Sequence, residues 1–182
     1  LLNSTRATDF ITPKSAVSRT FRDAVLALSR VHPFARRLVN SGRLSTPTTH
    51  RASPLSTPDH DAFAGPMVPG APAVDAPVQV DGHAGWLLDH LGGRFDLLLF
   101  DADDEAAREL ASGLGDAVRV VRITSSGAVQ GPLIDFEGHA EHRYDARPGT
   151  AYLLRPDQHV AARWRSPTVE GVLKALARAQ GH

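Results

Sequence analysis

The 182-residue sequence contains no cysteine and no long apolar run. Because it has no thiol, the chain can form no disulfide or thiolate metal site, and it can perform no CxxC redox or cysteine-nucleophile chemistry. No segment reaches the ~20 consecutive apolar residues that a membrane-spanning helix needs. With 42% hydrophobic and 22% charged residues, the composition is that of a soluble globular protein long enough to bury its own core.

A targeting signal is also missing from the first ten residues, LLNSTRATDF. This stretch has neither the basic residues nor the long apolar segment of a secretion signal, so we expect a cytoplasmic protein. The sequence begins at Leu1 rather than at methionine, which suggests an excerpt of a longer chain.

The net charge of zero conceals two parts of opposite charge. Residues 1–51 hold nine Arg and Lys against two Asp, a balance of +7, so residues 52–182 carry −7. A basic arm of this kind can bind nucleic acid, but a basic helix that packs on another domain gives the same count. We expect the second case and no nucleic-acid partner.

The N-terminal part predicts a helical tail over residues 1–50. Ser15 is suited to cap a first helix, and Pro33 is suited to end it. Apolar residues recur at helical spacing in between: Val17, Phe21, Val25 and Leu28. A short second helix is predicted from Pro33 to about Asn40. The apolar stripe of the first helix needs a partner, either in this chain or in a segment that precedes it.

Seven of the thirteen prolines fall between Leu44 and Val78, among Ser, Thr and Gly. Proline has no amide hydrogen, so such a stretch forms little regular structure. It predicts an extended connector over residues 51–76 and a separate domain over residues 77–182.

Helical and strand patterns alternate in this C-terminal domain. Asp101 or Asp103 can cap a central helix, with Glu105 in its first turn. The predicted elements are a short helix at 85–91, a buried strand at 95–100, a helix ending near Gly113 and Gly115, a strand at 118–123, a hairpin of 150–154 with 159–164, and a last helix opened by Ser166 and Pro167. The order favours an α/β fold in which helices cover both faces of a mixed sheet.

Two acidic segments are candidate chemical sites. Asp101 and Asp103 follow a buried strand, as do the nucleophile and acid/base of Mg²⁺-dependent phosphatases, but an acidic first turn of a helix explains them without chemistry. Five further residues crowd into a metal-ligand-rich stretch: Asp135, Glu137, His139, Glu141 and His142. Gly138 interrupts this stretch and no HExxH frame is present, so a solvated polar loop is favoured. The sequence contains no GxSxG, GxxxxGK[ST] or GxGxxG motif.

Several blocks of sequence resemble class A flavin-dependent aromatic hydroxylases, a group that includes hydroxyphenylpropionate and polyketide hydroxylases. NSTRATDFITPKSAVSRTFRDAVL (residues 3–26) and HPFARRLVNSGRLSTPT (residues 32–48) resemble the segment after their FAD domain. Their C-terminal domain is similar to GPMVPGAPAVDAPV, GWLLDHLGGRFDLLLF and RPGTAYLLRPDQHVAARW (residues 65–78, 85–100 and 147–164). The blocks agree in order and spacing over nearly the whole chain.

The resemblance implies a thioredoxin-like domain over residues 77–182, with Pro148 near the family's cis-proline turn. Where a thioredoxin carries its redox cysteines, this sequence has DADD at residues 101–104. Disulfide exchange is therefore impossible, and a structural role is expected.

For the parent enzyme the resemblance implies reduction of FAD by NAD(P)H, reaction with O₂ and transfer of one oxygen atom to an aromatic ring. The flavin and NAD(P)H motifs would lie upstream of Leu1, so no catalytic, cofactor-binding or metal-binding residue is assigned to this chain. No cofactor is expected on the fragment alone. The expected partners are the upstream FAD domain and a second copy in a homodimer. The alternatives are a redox-inactive thioredoxin-like module that binds a protein and, behind it, the Mg²⁺-dependent phosphatase.

Overall fold

The computed structural model of the chain describes residues 10–32, 35, 48–125 and 132–182. The chain divides into two compact units, Leu1–Pro47 and Thr48–His182. Among the described residues, every helix is too short or too polar to cross a membrane.

The first unit contains helix α1, Ala16–Val31. The helix begins as predicted, because the side chain of Ser15 accepts a hydrogen bond from the backbone N–H of Ser18 at 3.1 Å. It ends at the predicted place, directly before His32 and Pro33. The second helix predicted from Pro33 to Asn40 lies outside the described residues, apart from Ala35.

The second unit is a sheet flanked by helices. Its strands are β1 (Pro77–Val80), β2 (His83–Trp86), β3 (Asp96–Phe100), β4 (Arg119–Thr124), β5 (Leu133–Ile134), β6 (Ala151–Leu154) and β7 (Val160–Trp164). Its helices are α2 (Asp104–Leu114), α3 (His139–Arg143) and α4 (Val169–Ala179), with 3₁₀ turns at Leu87–His90 and Gly115–Ala117.

Within the described residues, the seven strands lie in the order β2-β1-β5-β4-β3-β6-β7. β4 is parallel to β3 and β5, and the remaining neighbours are antiparallel. α2 connects the parallel pair β3 and β4, while β6 and β7 form the predicted hairpin before α4. This mixed sheet with flanking helices confirms the predicted α/β class.

Strand β3 is buried on both faces and separates two hydrophobic cores. Leu98 and Phe100 pack with Tyr144, which follows α3, on one face. The alternate residues of the strand, Leu97 and Leu99, pack against α2 and α4 on the other face. Helices therefore cover both sides of the sheet, as predicted.

The helix predicted at residues 85–91 begins as a strand instead. β1 and β2 form a hairpin through Asp81 and Gly82, whose φ angles are +48° and +80°. An Asp-Gly pair favours this two-residue turn, because both positions need positive φ. Gly85 and Trp86 consequently lie in β2, and the helical part is reduced to the 3₁₀ turn Leu87–His90.

The proline-rich segment packs along β7. The backbone N–H of Thr57 donates to the carbonyl of Ala161 at 2.8 Å, and that of Gly70 donates to the carbonyl of Val160 at 2.7 Å. Residues 48–76 thus lie in the same compact unit as the sheet and are fixed to its edge. The domain bounds drawn from the sequence remain predictions.

Helix α2 shows which of the two predicted caps is used. The carboxylate of Asp103 accepts a hydrogen bond from the backbone N–H of Ala106 at 2.7 Å. The helix continues through Gly113, near which the sequence predicts its end, and Gly115 caps its end with a φ of +52°. A Cβ at Gly113 would lie 2.6 Å from a methyl carbon of Val169, so the glycine lets α2 and α4 approach closely.

Pro148 lies in the turn before β6. The turn is closed by the backbone N–H of Thr150, which donates to the carbonyl of Arg147 at 2.9 Å, and the N–H of Gly149 joins it to the carbonyl of Phe100 in β3 at 2.8 Å. All peptide bonds of the described residues are trans, so the cis-proline turn that the resemblance implied is not found at Pro148.

Candidate functional site

The acidic segment after β3 occupies the place where the resemblance puts redox cysteines in thioredoxins. The carboxylate of Asp101 accepts hydrogen bonds from the backbone N–H and the hydroxyl of Ser125, at 2.9 and 3.3 Å. Asp103 caps α2, and Asp104 forms an ion pair with Arg122 at 2.7 Å. These three carboxylates therefore hold the ends of β3, β4 and α2 in place.

This arrangement bears on the phosphatase alternative. A Mg²⁺-dependent phosphatase would need Asp101 as a nucleophile and Asp103 as an acid/base beside a metal. Both carboxylates are instead engaged by groups of the protein. Across residues 10–32, 35, 48–125 and 132–182, no three His, Asp or Glu side chains are grouped so as to hold a metal ion. The geometry adds no support to this alternative.

The second acidic segment is more ordered than the predicted solvated loop. Asp135 is buried, and its Oδ2 accepts a hydrogen bond from the backbone N–H of Glu141 at 2.8 Å, which fixes the start of α3. His139 pairs with Glu137 at 3.0 Å. The loop prediction is therefore wrong at α3, where burying Asp135 provides a hydrogen-bond acceptor for the helix amides.

An unpredicted cluster joins the proline-rich segment to β7, and we call it the arginine clamp: Asp59, Phe63, Asp145, Arg163 and Arg165. The guanidinium carbons of Arg163 and Arg165 lie 4.3 and 3.8 Å from the ring centroid of Phe63. Asp59 accepts two hydrogen bonds from Arg163, at 2.9 and 2.6 Å. Arg163 of β7 and Arg165, which directly follows β7, thus hold the segment by charge and by cation–π contact.

Arg165, the second arginine of the clamp, connects three parts of the chain. The backbone N–H of Arg165 donates to Asp61 at 2.8 Å, and its guanidinium group pairs with Asp145. Asp145 also accepts a hydrogen bond from the backbone N–H of Ala64 at 2.8 Å. Arg165 therefore links β7, the segment around residue 62 and the turn after α3.

These contacts shift the pKa values of the charged groups. The backbone N–H of Ala64, followed by Arg165, lowers the pKa of Asp145, because both stabilise the carboxylate. Burial opposes the charge of Arg163, but hydrogen bonds to Asp59 and Tyr152 outweigh it and raise the pKa of Arg163. Burial also raises the pKa of Tyr152. Asp145 and Arg163 are therefore charged at neutral pH, and Tyr152 is a neutral phenol.

Beside the clamp lies an open cleft of about 760 Å³. Its walls come from residues 64–66, from Val74 and from the α3 region, including His142 and Asp145. The cleft has the size of a small-molecule site.

The family described as "Aromatic-ring hydroxylase, C-terminal" matches residues 67–182, more than half of the chain. The chain belongs to this family. No curated protein sequence matches it significantly. The match begins within the proline-rich segment, after Asp59 and Phe63 of the clamp, so the clamp ties the family domain to residues that precede it.

Solved structures place the family domain within larger flavoenzymes. The flavin-dependent monooxygenase PieE, in complex with FAD and substrate, has a TM-score of 0.63 and 25% identity, over 97% of this chain and 32% of PieE. Aklavinone-11 hydroxylase, with FAD and aklavinone, has a TM-score of 0.60 and 22% identity, over 85% of this chain and 31% of that enzyme. The substrate-free rebeccamycin biosynthetic enzyme RebC has a TM-score of 0.51 and 22% identity, over 94% of this chain and 30% of RebC. The chain thus spans about a third of the length of these enzymes.

The N-termini of three described helices are poorly suited to the pyrophosphate of FAD. A dinucleotide pyrophosphate binds at free amides of a helix N-terminus. Helices α1, α2 and α4 satisfy such amides with their own caps, Ser15, Asp103 and Thr168. The first turn of α2 adds Asp104 and Glu105, whose charge repels a phosphate.

Sequence patterns contained one weak signal for the clamp. Arg163 lies in β7, whose first four residues are all buried, and Arg165 directly follows the strand. A charged side chain on a buried strand requires a partner, because an unpaired buried charge is costly. The partner Asp59 lies 104 positions away in a segment without regular structure, so no local spacing could identify it.

Proposed function

We propose that this chain is the C-terminal part of a cytoplasmic FAD- and NAD(P)H-dependent monooxygenase that hydroxylates an aromatic substrate. Within that enzyme the chain is structural and not catalytic, and it binds no cofactor alone. The family match over residues 67–182 carries this proposal. PieE and aklavinone-11 hydroxylase, both determined with FAD, support it, because this chain corresponds to about a third of each.

The surface of α1 supports an upstream FAD domain as the partner. Every side chain of this helix is at least partly exposed, and Val17, Phe21 and Val31 are 80%, 63% and 73% exposed. An apolar stripe of this kind marks a contact surface. Burying these three side chains would contribute about 5 kcal/mol. PieE aligns over 97% of this chain, so two thirds of that enzyme lies beyond the matched part and can supply the cover.

This partner is tested in the full-length enzyme with Phe21→Glu and the matched control Thr20→Glu. Both place one carboxylate in the same turn of α1, but Thr20 is polar and borders the apolar stripe without contributing to it. Phe21→Glu is expected to lower the thermal stability and to promote loss of FAD, whereas Thr20→Glu leaves both unchanged. Equal behaviour of the two variants would remove the basis for a docked FAD domain.

The acidic segment supports a non-catalytic role. A thioredoxin-like domain with redox activity needs a thiolate, and the sequence contains no cysteine. Asp101 and Asp103 are used to hold the backbone.

We also assign the domain a part in a homodimer. Trp86 on the edge strand β2 and Phe136 before α3 are 53% and 49% exposed. Exposed aromatic side chains of this size are typical of protein interfaces. Sedimentation of the full-length enzyme should show a dimer that Trp86→Ser weakens.

The structural role as a whole is tested by deletion. Removing residues 48–182 from the full-length enzyme is expected to lower its thermal stability and weaken its dimer, while the remaining soluble enzyme keeps FAD and hydroxylates its substrate. Unchanged hydroxylation, stability and oligomeric state would contradict the structural role. Loss of hydroxylation in a folded, FAD-loaded dimer would instead show a catalytic contribution.

A further inference from the structure

A second pocket, distinct from the cleft beside the clamp, lies in the second unit. It has a volume of about 440 Å³ and is lined mainly by residues 51–59, by Val68 and Pro69, and by Arg178. Arg178 belongs to the last turn of α4. The volume lies within the range of small-molecule sites.

Four side chains of this pocket can donate hydrogen bonds and have no partner in the described ranges of the chain: Arg51, Ser56, Thr57 and Arg178. The hydroxyl oxygens of Ser56 and Thr57 are buried and form no hydrogen bond within the described part of the chain. The guanidinium groups of Arg51 and Arg178 form no ion pair or hydrogen bond with the residues that the structure describes. A buried hydroxyl without a partner within the protein is destabilising, so these two hydroxyls are available to donate to a ligand.

The one carboxylate at the pocket is already used. Both carboxylate oxygens of Asp59 accept hydrogen bonds from Arg163 of the clamp, at 2.9 and 2.6 Å. A guanidinium group donates and never accepts, and a hydroxyl is able to donate. The unpaired groups therefore suit a ligand that only accepts hydrogen bonds and carries negative charge.

The charge of the arginines at the pocket is opposite in sign to the net charge of the second unit. Residues 48–182 contain 12 Arg and Lys and 18 Asp and Glu, a net charge of −6. The two unpaired arginines at this pocket thus form a region of positive charge on a unit with a negative net charge. Like charges placed together are unfavourable unless an anion separates them, so an occupant of opposite charge stabilises the pair.

The loop that forms the pocket is held in place by backbone contacts. The N–H of His50 donates to the carbonyl of Gly70, and the N–H of Thr57 donates to the carbonyl of Ala161, both at 2.8 Å. The backbone carbonyl of His50 also packs against Gly70. A Cβ at residue 70 would lie only 2.3 Å from that carbonyl oxygen. The pocket wall is consequently fixed before a ligand arrives, which reduces the entropy cost of binding.

We propose that this pocket binds a phosphate group, as inorganic phosphate or as the phosphomonoester of a small organic molecule. Arg51 and Arg178 donate charge-assisted hydrogen bonds to the phosphate oxygens. Ser56 and Thr57 donate their hydroxyls, which a rotation about the Cα–Cβ bond brings to the ligand. The proposal is independent of the hydroxylase reaction.

The test is a titration of the ¹⁵N-labelled 182-residue chain, followed by amide chemical shifts. The probes are inorganic phosphate, adenosine 5′-monophosphate and adenosine. Phosphate and the monophosphate are expected to shift the amides of residues 51–53, 55–57, 59 and 178, and adenosine to leave them unchanged. Tighter binding of the monophosphate would identify a phosphomonoester as the ligand, and equal or weaker binding would identify free phosphate. Absence of shifts with both phosphates, or equal shifts with adenosine, would overturn the proposal.

Substitutions separate the pocket from general charge effects. Arg178→Gln is expected to weaken phosphate binding about ten- to a hundredfold, because it removes a charge-assisted hydrogen bond. Lys174→Gln is the matched control, since it removes one charge from an exposed position one turn earlier in α4. Both exposed sites tolerate glutamine, and thermal unfolding of each variant checks this. Equal weakening by the two variants would show screening by net charge and overturn the proposal.

Discussion

Replacing Asp59 with Asn removes the carboxylate that pairs with Arg163 in the arginine clamp. The side chain of Arg163 is 3% exposed and that of Asp59 is 30% exposed. The substitution keeps the size of the side chain but leaves a buried guanidinium charge without its counterion. The proline-rich segment would then be held to β7 by fewer contacts, so the second unit should lose stability.

The loss follows from the burial of the pair. Removing one partner of a buried ion pair costs about 3–5 kcal/mol, because the other charge stays buried. Arg163 keeps a hydrogen bond to the carbonyl of Met67 at 2.9 Å, and water can reach the position of Asp59. The lower end, about 3 kcal/mol, is therefore expected. For a unit of this size, that lowers the Tm by roughly 9 °C.

Urea unfolding followed by tryptophan fluorescence measures this loss. The matched control is Asp157→Asn, which breaks the ion pair between Arg155 and Asp157. The two charged groups lie 2.7 Å apart, and the side chains are 23% and 49% exposed. An exposed pair contributes less than about 1 kcal/mol. A difference between the two variants of less than about 1 kcal/mol would refute the reasoning, because burial would then not decide the cost.

Three further substitutions test separate parts of the fold. Gly113→Ala should destabilise the unit by about 1–3 kcal/mol in urea, since the new methyl would meet Val169 at 2.6 Å, and unchanged stability would contradict that contact. Asp103→Ala should cost about 1 kcal/mol, because α2 loses its cap, and a wild-type unfolding midpoint would contradict the cap. Asp145 has a pKa below its ordinary 3.8, so its stabilising contribution is present above that value and is lost as pH falls through the lower, folded pKa. Asp145→Asn should therefore reduce the loss of unfolding free energy that the protein shows as the pH falls below 3.8. The same pH dependence in the variant and the wild type would contradict this role.

The central part of the fold could be predicted because its signals are local. Residues 95–100 form an apolar run of strand length, and the structure has β3 there. Asp103 and Glu105 mark the start of α2, and the turn at residues 156–158 separates β6 from β7. Each of these patterns depends on neighbours in sequence, so spacing alone reveals it.

The features that the sequence did not predict depend on residues far apart in the chain or on the hairpin turn at Asp81 and Gly82. Asp81 and Gly82 carry a hairpin signal, yet the apolar residues after Trp86 favoured a helix at this place. The clamp joins Asp59 to Arg163 across 104 positions, and no periodicity records such a pairing. The phosphate pocket likewise combines the start of the second unit with the end of α4.

The reading frame upstream of the codon for Leu1 tests the central claim most directly. PieE extends beyond the part matched by this chain by about two thirds of its length. The account predicts a continuous frame upstream that is longer than this chain and encodes a GxGxxG motif between a strand and a helix. A start codon directly before Leu1 would contradict the account, because the chain would then lack the flavin-binding part of a monooxygenase.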